Sequence, residues 1–363
     1  MKEIRKVQSG PPEAGGFKTV DFSHLQSFSF GIILIPVLSV LFLILLIFIF
    51  NDNPAQALYF FFIGPFRNIF SFGNMLNASV PLIFGALGVI VAMKAGCLNL
   101  GGEGQIYFGA FTTTITALAL SQFGITGAII AAIAGALSAG IIAAFSGFCR
   151  AMWNTSEIIT TFLVSCALIP VVNYMVTVPF ADHESSLLST QKIAENMRLL
   201  LILKPSSLSI GFIIAFIFVF IVHFFLFRTK PGYELRMTGN NEIFARYAGI
   251  NTKLHTVLAM MLSGCLYGLA GSFAVLGTHH AVIKEFSAGL GWNGLAVALL
   301  CGFFPPAVIP SALFFAWLAA GSRISMQNTG LTMEIASIVQ AAIFFLAASL
   351  LIRKIFSGKR KSL

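Results

Sequence analysis

Charge is scarce in this sequence: Asp, Glu, Lys and Arg make up 10% of 363 residues, against 57% hydrophobic ones. A soluble domain carries about 25% charged residues. So few charges cannot coat a water-exposed surface of this size, which excludes an ordinary soluble protein and makes the bilayer the solvent for most of the chain. Cysteine is also sparse. Cys97, Cys149, Cys166, Cys265 and Cys301 form no CxxC pair and lie in or beside apolar runs. That excludes a zinc ribbon or dithiol redox motif and leaves small packing residues. No G-x-x-x-x-G-K-[ST] motif is present, so nucleotide hydrolysis is not expected on this chain. The run Gly101 to Gly104 lacks the following Lys-Ser/Thr that a phosphate cradle needs.

Ionisable groups are nearly absent from the apolar runs. Lys94, Glu103, Glu157, Lys284, Glu285 and Glu334 fall at or near their ends, and His223 lies near an inner end. A transporter driven by protons or sodium needs such groups inside its helices. Their scarcity suits a neutral solute and an energy source on another polypeptide; an ion-coupled secondary transporter is the alternative. No Ser/His/Asp or His-rich constellation lies within the runs, so no catalytic residue, metal or cofactor is expected. The triplet Asp182-His183-Glu184 and the pair His279-His280 read as loop residues, because no second ligand cluster accompanies them.

The abundant residues are Phe, at 38, and Gly, at 33, which fit helices packed closely in lipid. Apolar stretches at 30–50, 75–93, 104–122, 124–148, 157–179, 208–227, 255–277, 287–303, 305–322 and 332–352 predict an all-α polytopic membrane protein of about ten transmembrane helices. The stretches 287–303 and 305–322 are separated only by Phe304, with Pro305-Pro306 directly after it. They read as a tight hairpin or a re-entrant pair. Segment 54–72, interrupted by Gly64-Pro65 and Arg67, reads as interfacial.

With the N-terminus inside, the inner segments hold sixteen of the 22 Lys and Arg residues. The outer ones hold Arg67, Lys192, Arg198, Lys204, Lys284 and Arg323. This bias predicts that both termini are cytoplasmic, and it accounts for the net charge of +9 without nucleic acid. The domain plan is a tail at 1–29, a membrane domain at 30–352 with a cytoplasmic loop at 228–254 and an outer loop at 180–207, and a basic tail at 353–363. Trp153, Trp292 and Trp317 read as interface or packing residues.

The cytoplasmic loop contains a Pro231-Gly232 turn signal and then a short amphipathic helix. Asn240 or Asn241 can cap it, Glu242 and Arg246 form a helical pair, and Gly249 can end it. Such a helix is too short to stand alone. It must dock on its own membrane domain or in a groove on a partner.

Three stretches carry a family resemblance. AGCLNLGGEGQ at 95–105 resembles the signature AGLFNIGAEGQ of permeases of ABC importers for branched-chain amino acids, simple sugars and nucleosides. The loop RTKPGYELRMTGNNEIFARYAGIN at 228–251 is similar to that family's RTKPGYELRAVGLNPEAARYAGIN. GLGWNGLAVALL at 289–300 is similar to its GYGYTGIAVALL. The resemblance covers nearly the whole chain and is strongest to the longer permease of purine-nucleoside importers. It implies inward transport of a small solute, a nucleoside before a sugar. It also implies three partners: a cytoplasmic ATP-binding subunit, a second homologous permease and an external substrate-binding lipoprotein, to which loop 181–207 offers a surface. On this reading Glu242, Ala245, Arg246 and Gly249 meet the ATPase. Ser156 and Ser165 depart from the family, which has Asn at both ends of the stretch NEVISTIMLN; Cys97 and Gly102 depart as well.

Asn99, Glu103 and Gln105 form the sharpest polar cluster near a span, with Gly96, Gly101, Gly102 and Gly104 around them. Glycines at this density permit unwound backbone, which a membrane tolerates where it lines a cavity or is buried in protein. The cluster therefore reads either as a translocation-path element or as the cap of a membrane-entering helix, with Glu103 placed at a helix N-terminus.

Overall fold

The computed structural model describes residues 25–287, 289–330, 334–335 and 337–346. The chain before residue 25 and the basic tail 353–363 lie outside the described residues. Among the described residues the protein is almost entirely helical, with isolated β-bridges and no strands.

Among the described residues, six helical segments are long and apolar enough to cross a membrane. They contain α3 (Ile69–Lys94), α5 (Gly124–Trp153), α6 (Glu157–Thr177), α7 (Gly211–Arg228), α10 (Thr252–Ala274) and α12 (Val308–Thr329). The remaining expected spans are also helical: α1 (Leu25–Phe50), with a described apolar run at Ile35–Phe50; α4 (Gly102–Ala119), which is more polar; α11 (Leu290–Leu300), which is shorter; and α13, described over Ser337–Leu346. Between α1 and α3, the segment expected at the interface folds as α2 (Pro54–Phe62) followed by a 3-10 turn. It differs in its far boundary: Asn68 caps α3 by accepting from Ser71 N–H at 2.7 Å, so the next helix begins within the expected interfacial stretch.

The pair 287–322 is not two equal halves. Helix α11 has 11 residues and α12 has 22. At 1.5 Å per residue α11 reaches about 16 Å, half of a hydrocarbon core of about 30 Å. It runs beside the second half of α3. Gly294 packs on the Gly85 backbone near the middle of α3, and Lys94, the last residue of α3, lies close to Cys301, just past α11. The α11 N-terminus therefore sits about midway along the bundle.

Helices α3 and α10 form the centre, and 83% of the α3 apolar window is buried. The α10–α5 seam is built from small residues. A Cβ on Gly264 would lie 2.5 Å from Ala139 O, and one on Gly268 would lie 2.5 Å from Gly135 O. Without a hydrophobic drive between helices in lipid, this close approach supplies the packing energy. Phe84 of α3 stacks on Phe273 of α10, with ring centroids 4.9 Å apart. Trp317 of α12 packs edge-on against Phe61 and Phe62 of α2. At the rim, α6 has only 17% of its window buried.

Pro231-Gly232 does not make a turn between elements. It opens a further helix, α8 (Lys230–Asn240), whose cap Thr229 accepts from Gly232 N–H at 3.2 Å. Proline is well suited to a first helical turn, where its missing N–H has no partner to lose. A single residue, Asn241, then joins α8 to α9 (Glu242–Tyr247).

Candidate functional site

The non-helical segment between α3 and α4 is held from one side by α6. Residues four apart on a helix share a face. On α6 the polar residues Glu157, Thr161 and Ser165 follow that spacing. Glu157 accepts from Leu98 N–H at 3.4 Å, Thr161 from Leu100 N–H at 3.2 Å and Ser165 from Gly104 N–H at 2.7 Å. Backbone donors in an apolar bundle must find partners, and this stripe provides them. Ser165, one of the two Asn-to-Ser departures, is buried and turned toward α4. Ser156, the other, is exposed at the α6 N-cap without a side-chain cap bond.

Asn99 and Gln105 pair through their amides. Asn99 Nδ2 donates to Gln105 Oε1 at 2.8 Å, and Gln105 Nε2 donates to Asn99 Oδ1 at 3.1 Å. Asn99 also donates to Ser263 of α10 at 3.1 Å and accepts from Gly101 N–H at 2.9 Å. Both residues are 1% exposed. Tyr267 of α10 covers Gly102 so closely that a Cβ there would lie 2.7 Å from the ring. Glycine at 102, where the family signature has Ala, is thus matched to this ring.

Glu103 leaves the other two and faces α11. Its carboxylate accepts from Gly289 N–H at 3.0 Å and Gly291 N–H at 2.9 Å. The first turn of a helix has N–H groups without internal partners, and an anion is favoured there. Gly289, with φ +84°, has no side chain to cap α11. Glu103 supplies the cap from another helix. A Cβ on Gly291 would lie 2.4 Å from Glu103 N, so two helix N-termini meet backbone to backbone. Beside them is a recess lined by Leu100, Glu103, Tyr267, Trp292 and Leu295, among others, with Trp292 partly exposed.

A second polar cluster was not foreseen. Tyr107 of α4 donates to Asn173 Oδ1 at 2.7 Å, Glu285 N–H donates to Tyr107 Oη at 3.1 Å, and Asn173 Nδ2 donates to Glu285 Oε1 at 3.3 Å. Asn173 continues the α6 stripe, two further turns along from Ser165. The spacing of Glu157, Thr161 and Ser165 at four residues, with Asn173 eight further on, was visible in the sequence and marks the face of α6 that packs inward.

At the α8–α9 end, Asn241 caps α9 by accepting from Phe244 N–H at 3.0 Å. Glu242 and Arg246 form an ion pair, and Arg246 Nε donates to Thr252 Oγ1 at 3.2 Å. Ala245 is fully buried, and Gly249 adopts φ +80° after the helix. Ile243, Phe244 and Tyr247 are exposed, Tyr247 at 90%. The opposite end carries loop 180–207, where Ile193 N–H donates to His280 O at 2.8 Å and Lys284 N–H to Leu188 O at 2.9 Å. Asp182 turns on its own loop, accepting from Glu184 N–H at 3.1 Å. Among the described residues no three His, Cys, Asp or Glu side chains gather as a metal site.

Residues 71–348 match the family described as branched-chain amino acid transport system / permease component. The relative named "Probable riboflavin import permease protein" of Treponema pallidum is 33% identical, covering 82% of this chain and 80% of its own. A nucleoside ABC transporter permease protein of Lactococcus lactis subsp. cremoris is 30% identical over 91% of this chain and 94% of its own. A guanosine ABC transporter permease protein of Bacillus subtilis is 29% identical over 82% of this chain and 86% of its own. No solved structure matches the chain. The protein belongs to the branched-chain amino acid transport system permease family and is a multi-pass plasma-membrane permease of the ABC transporter type.

Proposed function

We propose that this chain is one of two homologous permease subunits of an ABC importer and carries a small solute inward by alternating access. The observation that carries the reading is α9. A helix of six residues cannot hold itself together in isolation. It nevertheless presents Ile243, Phe244 and Tyr247 to solvent while Ala245 is buried behind them. That is the geometry of a helix laid into a groove. The groove belongs to a cytoplasmic ATP-binding subunit, which Glu242, Ala245, Arg246 and Gly249 position α9 to meet. An external substrate-binding lipoprotein delivers solute at loop 180–207, which exposes Leu187, Leu188 and Leu200. The topology is ten membrane segments with both termini cytoplasmic, α11 being a half-length one. Asn99, Glu103 and Gln105 belong to the element that opens the path: the amide pair keeps the unwound segment in shape and Glu103 ties it to α11.

The solute is a nucleoside. Two of the relatives above are named for nucleoside or guanosine transport. Riboflavin is the second candidate, because the 33% identical relative is named for it. Both are flat nitrogen heterocycles bearing a hydroxylated five-carbon arm. The test is uptake of labelled guanosine and riboflavin in cells expressing the whole importer, with residues 240–249 native or scrambled. The native complex is expected to retain its ATPase on purification and to take up guanosine when ATP is present. The scrambled one is expected to lose both. Normal ATPase retention after scrambling would defeat the docking role, and uptake that ignores ATP depletion but follows a proton gradient would favour a secondary transporter.

A further inference from the structure

Gly96 and Gly239 touch backbone to backbone. Gly239 is the next-to-last residue of α8, and a Cβ there would lie 2.3 Å from Lys94 O and 2.6 Å from Gly96 N. Gly96 has φ +72°, and a Cβ there would lie 3.1 Å from Gly239 Cα. No side chain can be inserted between these two strips of main chain. The far side of the loop is also fixed. Arg150 Nη1 donates to Gly96 O at 2.9 Å and is paired with Glu157, which in turn accepts from Leu98 N–H. Arg150 lies near the end of α5 and Glu157 starts α6, so the pair bridges the α5–α6 turn and grips the loop.

From this loop, contacts run without a gap to the middle of the bundle. Leu98 leads to Asn99 and Gly101, then to the first turn of α4, and Glu103 there caps α11. In the other direction Gly239 is separated from α9 only by Asn240 and Asn241. We infer that the Gly96–Gly239 contact is the joint through which displacement of the α8–α9 arm reaches the unwound segment and α11, with Arg150 and Glu157 as positioning residues that keep the receiving loop seated. The inference rests on the docking of an ATPase at α9. Its physical basis is stiffness. A main-chain contact with no intervening side chain cannot absorb a shift by changing rotamer, so movement of one strip must displace the other.

The test needs no knowledge of the solute. In the complete importer reconstituted in lipid nanodiscs, Trp292→Cys is introduced with Cys166→Ser and Cys265→Ser to remove the more accessible native thiols. Trp292 is 44% exposed and lies in the first turn of α11, so its labelling by a maleimide reports on that helix. Labelling is compared without nucleotide and after trapping with ATP and vanadate. The parent is expected to change its labelling rate at least about fivefold on trapping, the lower end of typical coupling between sites. Gly239→Ala and Arg150→Met are each expected to flatten that change while the ATPase still co-purifies and turns over ATP. Arg150→Lys, which can still donate to Gly96 O, is expected to keep it.

A full response in both Gly239→Ala and Arg150→Met overturns the joint, as does an unresponsive position 292 in a parent complex that holds its ATPase. Loss of the ATPase from either variant alone also overturns it, because the residue would then belong to the docking surface. If Gly239→Ala does not accumulate in the membrane, Arg150→Met decides. A parent that never retains an ATPase strikes the docking reading itself and takes the joint with it, by a readout separate from labelling.

Discussion

Glu103 does two jobs with one side chain. It occupies the favourable first turn of α4 and, by reaching across, closes the open N-terminus of α11. A hydrogen bond to a charged group contributes about 1.5–3 kcal/mol, and leaving buried donors without a partner costs about 1–3 kcal/mol each. Glu103→Ala is therefore expected to destabilise the purified permease by roughly 2–4 kcal/mol, seen as a lower thermal midpoint in detergent. Glu103→Gln keeps one acceptor oxygen and places an amide donor against the second N–H, so it should fall between wild type and alanine. Equal midpoints for all three would show that the carboxylate carries no load. If uptake and assembly were also unchanged in Glu103→Gln, its role in the path would fall.

The position of Glu103 beside glycines hinted at a helix N-terminus. The partner helix was hidden, because Gly289 and Gly291 lie 186 and 188 residues further on. Asn99 and Gln105, six apart, were legible as a cluster, yet only the packed structure shows their amides satisfying one another instead of facing open space.

At the scale of elements, periodicity explains most of what was readable. The long apolar helices follow from runs that only lipid or a large core can cover. Helix α9 follows from an Asn cap, an acid-first ion pair and a glycine stop. Where reading fell short, a local signal had two structural uses. Pro231-Gly232 is compatible with a turn and with a helix start, and the approach of α8 to α7 selects the second: a Cβ on Gly232 would lie only 1.9 Å from Phe225 O. The polar stripe on α6 was spaced for one helix face but had no visible partner. The α5–α10 seam gives a direct test. Gly268→Leu is expected to part these helices and abolish accumulation in the membrane, since even a Cβ at that site lies 2.5 Å from Gly135 O. Leu262→Ala, on the partly exposed side of α10, is expected to change stability by no more than about 0.5 kcal/mol. Normal accumulation of Gly268→Leu would show that the seam is looser than these distances require.

At the scale of the molecule, the two ends of the bundle differ in kind. One gathers α8, α9 and the Arg150–Glu157 pair; the other carries the 178–210 segment bridged to 280–284. On the proposed topology, with both termini cytoplasmic, the first end faces the cytoplasm. Tyr247→Cys and Leu200→Cys test this, because the native residues are 90% and 73% exposed at opposite ends. In intact cells a membrane-impermeant thiol reagent should label Leu200→Cys. It should label Tyr247→Cys only after permeabilisation. Labelling of both from one side would overturn the alternation of spans.

Composition and periodicity by themselves determined that this chain lives in a bilayer, where its long helices run, and that a short capped helix leaves the membrane domain between Arg228 and Asn251. These properties depend on neighbours within a few turns, and local order in the chain records them. Tertiary structure alone decided that α11 is half-length and begins in mid-bundle, that Glu103 caps it, and that Gly96 rests on Gly239. Such contacts join residues that are distant in sequence through main-chain groups, and backbone N–H and C=O are the same in every non-proline residue. Their pairing therefore leaves no mark in the letters until the helices are packed.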